Sequence, residues 1–144
     1  MEYISKNIKQ TISIAKDICK NFKGGEILLL SGELGAGKTA FTKGIAEQLG
    51  IKAIITSPTF TIMNMYTSGT LNLYHFDMYR IEDERDIYEL GFDEYIGNPN
   101  GVCCVEWYSQ TPQLFKDKKC IHIELIKIND NKRKIIVEGI KWTN

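Results

Sequence analysis

The feature that most constrains the fold of this chain is Gly-Glu-Leu-Gly-Ala-Gly-Lys-Thr at residues 32–39, which matches the phosphate-binding pattern G-x-x-x-x-G-K-[ST]. An apolar run of strand length, 26–31, precedes it, and 40–49 follows it with the pattern of an amphipathic helix that ends at Gly50. The glycines let successive backbone N–H groups turn inward around a phosphate at the helix N-terminus. The segment therefore predicts binding of a nucleoside triphosphate, with Lys38 contacting the β- and γ-phosphates and the Thr39 hydroxyl ligating Mg²⁺.

A carboxylate for the same metal ion is predicted further along the chain. Enzymes with such a loop need an acidic residue at the end of a neighbouring buried strand to hold Mg²⁺ through its water shell. Glu106 follows the four apolar residues 102–105 and fits this place, although a strand that simply ends in a solvated glutamate has the same pattern. The aromatic Trp107 comes next, and an aromatic residue there either belongs to the site or closes the core.

A further polar group lies in residues 73–80, Leu-Tyr-His-Phe-Asp-Met-Tyr-Arg. Strand alternation puts His75, Asp77 and Tyr79 on one face. We assign Asp77 a catalytic role, in which it orients or activates the attacking water or lies in the outer shell of Mg²⁺. For His75 we favour a hydrogen-bonded network that braces the sheet, because phosphoryl transfer needs no imidazole.

Ser57-Pro58-Thr59-Phe60 lies shortly after the predicted loop helix, where nucleotide switches tend to occur. The Thr59 hydroxyl would contact the γ-phosphate or the Mg²⁺ shell and move on hydrolysis. A plain turn that begins at Ser-Pro explains the same residues equally well.

The remaining patterns predict one α/β domain over residues 1–144, with three layers and a mixed sheet. Helical periodicity marks 6–21, the charged segment 81–90 is also predicted to be helical, and a buried strand is predicted at 101–107. Two antiparallel hairpins are predicted, one from 59–66 and 71–76, the other from 120–128 and 133–139. The cysteine pair Cys103 and Cys104 lies inside an apolar segment and is read as two small hydrophobes.

Charge and hydropathy limit the partners. Eighteen Lys and Arg balance eighteen Asp and Glu, which does not favour a chain that grips RNA or DNA by itself. No apolar stretch has the length of a membrane span, and the first residues lack the pattern of a signal peptide, so we expect a cytoplasmic protein without membrane contact. The basic clusters at 116–119 and 132–134 are expected to be a solvated loop and a hairpin turn.

Five motifs together resemble the TsaE family, in its order and spacing and over essentially the whole chain. They are the loop at 32–39, S-P-T-F at 57–60, H-F-D-M-Y-R at 75–80, L-G-F at 90–92 and V-E-W at 105–107. Members of that family are small bacterial P-loop ATPases that support formation of N6-threonylcarbamoyladenosine in tRNA together with TsaD and TsaB. The resemblance implies that this chain binds and hydrolyses ATP with Mg²⁺, and that it meets tRNA only through that complex.

Carried onto this sequence, the resemblance implies a nucleotide role for Asp77, a switch role for Ser57 through Thr59, and Mg²⁺ ligation by Thr39 and Glu106. It implies an adenine contact near Lys132 and Arg133. It also implies phosphate contacts from the loop residues Glu33, Leu34, Gly35, Ala36, Gly37 and Lys38. One departure is Ala40, where many relatives have a second Thr whose hydroxyl would reach the α-phosphate.

Two other functions fit the residues. A P-loop small-molecule kinase would use the same phosphate grip with an acceptor hydroxyl near Asp77. A nucleotide-gated binding subunit would use the grip with negligible turnover.

Overall fold

The computed structural model describes residues 1–139, and its central element is a seven-stranded sheet. The strands are β1 (Glu2–Ser5), β2 (Ile27–Ser31), β3 (Met63–Tyr66), β4 (Asn72–Asp77), β5 (Gly101–Glu106), β6 (Ile121–Lys127) and β7 (Arg133–Glu138). The helices are α1 (Ile8–Cys19), α2 (Lys38–Gln48), α3 (Arg85–Glu89) and α4 (Pro112–Phe115), with 3₁₀ turns at Phe92–Tyr95 and Tyr108–Gln110. The predicted domain runs to residue 144, so its residues 140–144 lie outside the described part.

The strand order is β1-β7-β6-β2-β5-β4-β3, and the sheet is mixed. The four central strands β6, β2, β5 and β4 run parallel, whereas β1, β7 and β3 pair antiparallel with their neighbours. Both predicted hairpins are therefore confirmed, as β3–β4 and β6–β7. Because β2, β5 and β4 are parallel, their carboxyl ends meet at one edge of the sheet, where α/β proteins place their ligands.

Each face of the sheet carries its own apolar cluster, which gives the predicted three layers. The two long helices cover one face with buried residues of α1 and α2, among them Ala15, Ile18, Phe41 and Ile45. Residues of the segment 78–115 cover the other face, among them Met78, Ile87, Leu114 and Phe115. Strand β5 is buried along its whole length, with Cys104 on the first face and Cys103 on the second. Both cysteines thus pack as the small hydrophobes that the sequence predicted.

Strand β1 is an element that the sequence did not predict. Its four residues are too few to show alternation, and it forms by pairing with β7, which places Tyr3 opposite Ile135. The predicted helix at 6–21 is confirmed in shorter form as α1, because the Asn7 side chain caps its first turn by accepting a hydrogen bond from the Gln10 N–H at 2.9 Å.

Two predicted elements are shorter than expected. The strand predicted at 59–66 begins only at Met63, because Ile62 adopts a φ of 68° and its N–H binds the Pro58 carbonyl at 2.7 Å in a turn. The helix predicted at 81–90 begins only at Arg85, because the Asp83 side chain accepts the Arg85 N–H at 3.0 Å and holds a local turn in place of the helix. None of the helices in residues 1–139 has the length and apolar character needed to cross a membrane.

Candidate functional site

The candidate site begins at the segment Gly32–Thr39, here called the glycine loop, which joins β2 to α2. A turn closes it, with the Ala36 N–H bonded to the Glu33 carbonyl at 2.9 Å. Gly37 takes a φ of 105° immediately before α2, a conformation that a side chain disfavours. The first N–H groups of α2 have no intrahelical acceptor, and the positive end of the helix dipole adds to them. The loop can therefore hold an anion.

The tip of the glycine loop projects away from the protein. Leu34 is 100% exposed, and a Cβ added to Gly35 would meet no atom within 4 Å. Glu33 and Thr39 are also exposed, whereas Ala36 is buried and anchors the loop. A ligand on this loop would lie on an open surface and not in a closed cavity.

Two carboxylates lie beside the loop at the same sheet edge. The strand register pairs Leu30 of β2 with Glu106 of β5, and Glu106 with Asp77 of β4. Paired residues of neighbouring strands project on the same side of a sheet, and Leu30 belongs to the cluster under α1 and α2. Glu106 and Asp77 therefore both lie on the side of the sheet that α2 covers. Both residues are buried, at 7% and 4% exposure.

Glu106 contacts two nitrogen-bearing side chains. Its Oε1 lies 3.7 Å from Lys38 Nζ, and its Oε2 lies 2.8 Å from His75 Nε2. His75 is 1% exposed and the Lys38 side chain is 14% exposed. The arrangement brings the predicted phosphate-contacting lysine and the predicted metal carboxylate into direct contact at the start of α2.

Asp77 makes a separate set of contacts. Its Oδ2 accepts a hydrogen bond from the Thr59 hydroxyl at 3.1 Å, and its Oδ1 accepts the Tyr79 N–H at 2.9 Å. The Thr59 hydroxyl also lies 2.9 Å from that of Ser57. The segment predicted to be a switch is thus attached to the predicted catalytic carboxylate by one side-chain hydrogen bond.

Backbone strain is concentrated beside the two carboxylates. Within residues 1–139, the non-glycine residues with positive φ are Ile62 and Trp107. The Ile62 carbonyl accepts the Asp77 N–H at 2.8 Å, and Trp107 directly follows Glu106. Such strain persists only where the surrounding structure imposes it, and it clusters at functional sites.

Trp107 does not close the core, which was one of the two sequence interpretations. Its indole is 46% exposed, and Lys38 Nζ lies 5.5 Å from the ring centroid, within the range of a cation–π contact. The ring of Tyr79 also packs against the indole, with the two ring centroids 4.9 Å apart. Trp107 therefore lies at the mouth of the site.

The closing hairpin reaches the site through one of the two residues predicted there. Arg133 Nη2 donates to the Gly35 carbonyl at 2.9 Å, and the Leu125 carbonyl lies so close to Gly32 that a Cβ there would approach it to 2.7 Å. Lys132 lies exposed in the β6–β7 turn. The hairpin thus flanks the glycine loop on the side opposite β5.

Sequence reasoning missed the contact between His75 and Glu106. The signal was present, because strand alternation already put His75 on the same face as Asp77, and a parallel neighbour strand ends at Glu106. What the sequence could not supply was that β4 and β5 are adjacent and in register.

Comparison with known proteins gives a consistent family. The sequence matches the model of a family described as "Threonylcarbamoyl adenosine biosynthesis protein TsaE" over residues 5–135. It is 44% identical over 140 residues to the tRNA threonylcarbamoyladenosine biosynthesis protein TsaE of Bacillus subtilis, covering 97% of this chain and 86% of that protein. The protein of the same name from Aquifex aeolicus is 36% identical over 137 residues, 93% of this chain and 92% of its own length. The crystal structure of Bacillus subtilis YdiB is similar, with a TM-score of 0.78 and 39% identity, covering 94% of this chain and 82% of that one.

Proposed function

The chain belongs to the TsaE family, whose named members serve tRNA threonylcarbamoyladenosine biosynthesis, and on that basis we propose that it is the ATP-binding and ATP-hydrolysing subunit of this modification. The observation that carries the ATPase assignment is the contact of Lys38 with Glu106 at the N-terminus of α2, with Asp77 on the adjacent strand. A lysine for phosphate and a carboxylate for a metal ion are both needed for P-loop phosphoryl transfer. Such a protein would be a P-loop NTPase and a cytoplasmic hydrolase.

Phosphate binding would use the backbone of the glycine loop. Its N–H groups and the α2 dipole attract anions, and Lys38 adds a full charge that neutralises the β- and γ-phosphates. Glu33, Leu34 and Gly35 stand at the exposed tip, where their backbone is open to a polyphosphate. When ATP binds, Lys38 would exchange Glu106 for the phosphates.

The residues present fit a magnesium ion. Thr39 and Glu106 offer a hydroxyl and a carboxylate, the hard oxygen donors that Mg²⁺ prefers. In residues 1–139 no group of three or more His, Cys, Asp or Glu forms a protein cage for a metal. Mg²⁺ in nucleotide sites needs none, because it keeps several waters and takes the rest of its ligands from phosphates. When bound, the ion would neutralise charge on the β- and γ-phosphates.

Asp77 would orient the attacking water. Its Oδ1 is held by the Tyr79 N–H, and its Oδ2 is shared with Thr59, so the carboxylate is fixed yet has one contact that can change. The Thr59 hydroxyl would leave Asp77 to contact the γ-phosphate and would return to Asp77 after hydrolysis. The conformation of this switch segment would then differ between the ATP-bound and ADP-bound states. Arg133 and Lys132 would border the adenine.

The partners would be TsaD- and TsaB-type proteins, with tRNA contacted through the complex. The net charge of zero supports this division, because a subunit that bound tRNA directly would carry a basic excess. ATP hydrolysis by this chain would reset the complex between cycles of the modification.

The test is reconstitution of the tRNA modification from purified TsaD- and TsaB-type proteins, with this chain, without it, or with a lysine variant. Lys38→Ala should abolish ATP binding and multiple turnover. Lys43→Ala is the matched control, because Lys43 lies on the same helix and is exposed. Equal multiple turnover with wild type, with Lys38→Ala and without this chain would refute the pathway assignment. Phosphate released to water supports the ATPase, whereas γ-phosphate transferred to an acceptor would support the kinase.

A further inference from the structure

His75 lies in the interior of β4, two residues before Asp77 and on the same face of the sheet. The register pairs it with Cys104 of β5, and its side chain is 1% exposed. Its Nε2 reaches across to Glu106 Oε2 at 2.8 Å, although Asp77 is nearer in sequence. Asp77 has its own partners in Thr59 and the Tyr79 N–H. The His75 imidazole therefore hydrogen-bonds to Glu106 and not to Asp77.

The direction of this hydrogen bond follows from the chemistry of its atoms. A carboxylate oxygen accepts, so His75 Nε2 carries the hydrogen and donates it. The other ring nitrogen, Nδ1, is buried and has no partner among residues 1–139. The one hydrogen bond to Glu106 is thus the contact that accounts for a polar residue in this place.

The two oxygens of Glu106 have different surroundings. Oε2 is bound to His75 in the sheet interior, whereas Oε1 faces Lys38 and the start of α2. A glutamate side chain has several rotatable bonds, and holding it in one geometry costs rotamer entropy. The bond to His75 removes that freedom before any ligand arrives, and it leaves Oε1 directed at the glycine loop.

We propose that His75 is a positioning residue that fixes Glu106 so that its outer oxygen is available to the metal ion that accompanies the nucleotide. The inference rests on the proposed function, because it gives Glu106 a metal. Residues that hydrogen-bond to a metal ligand fix its orientation, and their loss weakens metal binding.

The experiment measures ADP binding by calorimetry, with Mg²⁺ and with EDTA, for wild type and two variants. His75→Gln carries an amide N–H near the position of Nε2, whereas His75→Asn is polar but too short to reach Glu106. His75→Asn should lose about 10- to 100-fold of the Mg²⁺-dependent gain in ADP affinity, the range typical for such residues. His75→Gln should regain most of that gain, and all three proteins should bind ADP alike in EDTA.

Several outcomes overturn the inference. They are an undiminished Mg²⁺ gain in His75→Asn, equal losses with Mg²⁺ and with EDTA, or a loss in His75→Gln as large as in His75→Asn. A wild type that binds ADP no better with Mg²⁺ would instead refute the proposed function and the inference together. If wild type binds ADP more tightly with Mg²⁺ and both variants keep this gain in full, the inference is refuted but the proposed function is not.

A second measurement needs no variant and so does not depend on how the variants fold. In wild-type protein the His75 Nε2 proton should give an exchange-protected, downfield NMR signal. That signal should persist when Mg²⁺ and ADP bind, because the bond to Glu106 Oε2 is retained. Absence of the signal, or its loss on binding, would overturn the inference.

Discussion

Lys38 and Glu106 form an ion pair that links the start of α2 to the end of β5, with Nζ 3.7 Å from Oε1. Both side chains are largely buried, at 14% and 9% exposure. The lysine that would contact the phosphates and the carboxylate that would hold the metal ion thus neutralise each other. Binding of Mg²⁺ and ATP would replace this ion pair by two others. Lys38 would pair with phosphate, and Glu106 would pair with the metal ion. If both ligands bind as proposed, the pair would couple them, because each side chain would exchange its present partner for a new one.

Glu106→Gln should separate nucleotide binding from metal use. The neutral amide no longer pairs with Lys38, so ADP binding in EDTA should be as tight as in wild type or tighter. Mg²⁺-dependent phosphate release should fall by roughly 100-fold or more, because a metal ion contributes several kcal/mol to the transition state. Calorimetry and a phosphate-release assay check both. Full hydrolysis in this variant would contradict the metal role of Glu106.

Asp77→Asn should stop turnover while leaving ATP binding intact. The amide oxygen can still accept the Tyr79 N–H, so the strand end keeps its geometry. The lost proton acceptor should lower hydrolysis by about 100-fold or more, the range for a positioned general base. Equal rates of phosphate release in Asp77→Asn and wild type would remove this assignment. Asp86→Asn, the same chemical change at an exposed residue of α3, serves as the control.

Arg133→Ala should weaken ATP binding more than Lys132→Ala does. Arg133 touches the glycine loop through the Gly35 carbonyl, whereas Lys132 is exposed in the turn. Loss of that charged hydrogen bond should cost about 1 kcal/mol, or roughly fivefold in Kd. Both changes remove one positive charge, so the general electrostatic effect cancels in the comparison. A larger effect from Lys132→Ala would show that the contact of Arg133 is not what matters.

Gly44→Ala should destabilise the protein, although alanine favours helices. A Cβ at Gly44 of α2 would lie 2.5 Å from the Ile12 carbonyl and 2.7 Å from the Ala15 Cβ of α1, so the two helices would have to move apart. Overpacking of this kind costs about 1–3 kcal/mol. Chemical denaturation measures it, with Lys43→Ala on the exposed side of the same helix as the control. A gain in stability would mean that α1 and α2 do not approach so closely.

The cysteines should differ in their reaction with a thiol reagent at pH 8. Burial raises the pKa of Cys19 and of Cys103 to about 12, and it raises the pKa of Cys104 as well. These thiols therefore stay protonated and shielded, and the thiolate is the reactive form. Cys120 is only partly buried, with a pKa that burial also raises, so it should react first but slowly. Cys120→Ser should remove the first phase of labelling in the native protein, and persistence of that phase would contradict the order.

Much of the fold was readable from local pattern. The strand, glycine loop and helix at 26–49 were predicted because glycine positions, an apolar run and helical periodicity all agree there. The β3–β4 hairpin was predicted from two strand candidates joined by a short turn, and the β6–β7 hairpin from alternation of apolar and polar residues around another. The start of β3 was not predicted correctly, because it depends on Ile62. This residue has a φ of 68° and is held by backbone hydrogen bonds to Pro58 and Asp77. No local propensity favours that conformation in a β-branched residue.

By itself the sequence determined the chemical inventory: a loop that favours anions, one lysine, a hydroxyl, and acidic residues at the ends of two apolar strands. Tertiary structure alone decided that β5 lies between β2 and β4, and this order brings Glu106 to Lys38 and His75 and leaves Asp77 to Thr59. The physical reason is that side-chain identity and spacing are local properties of the chain. Strand adjacency and register are set by burying both faces of one sheet at once, which no segment can encode alone.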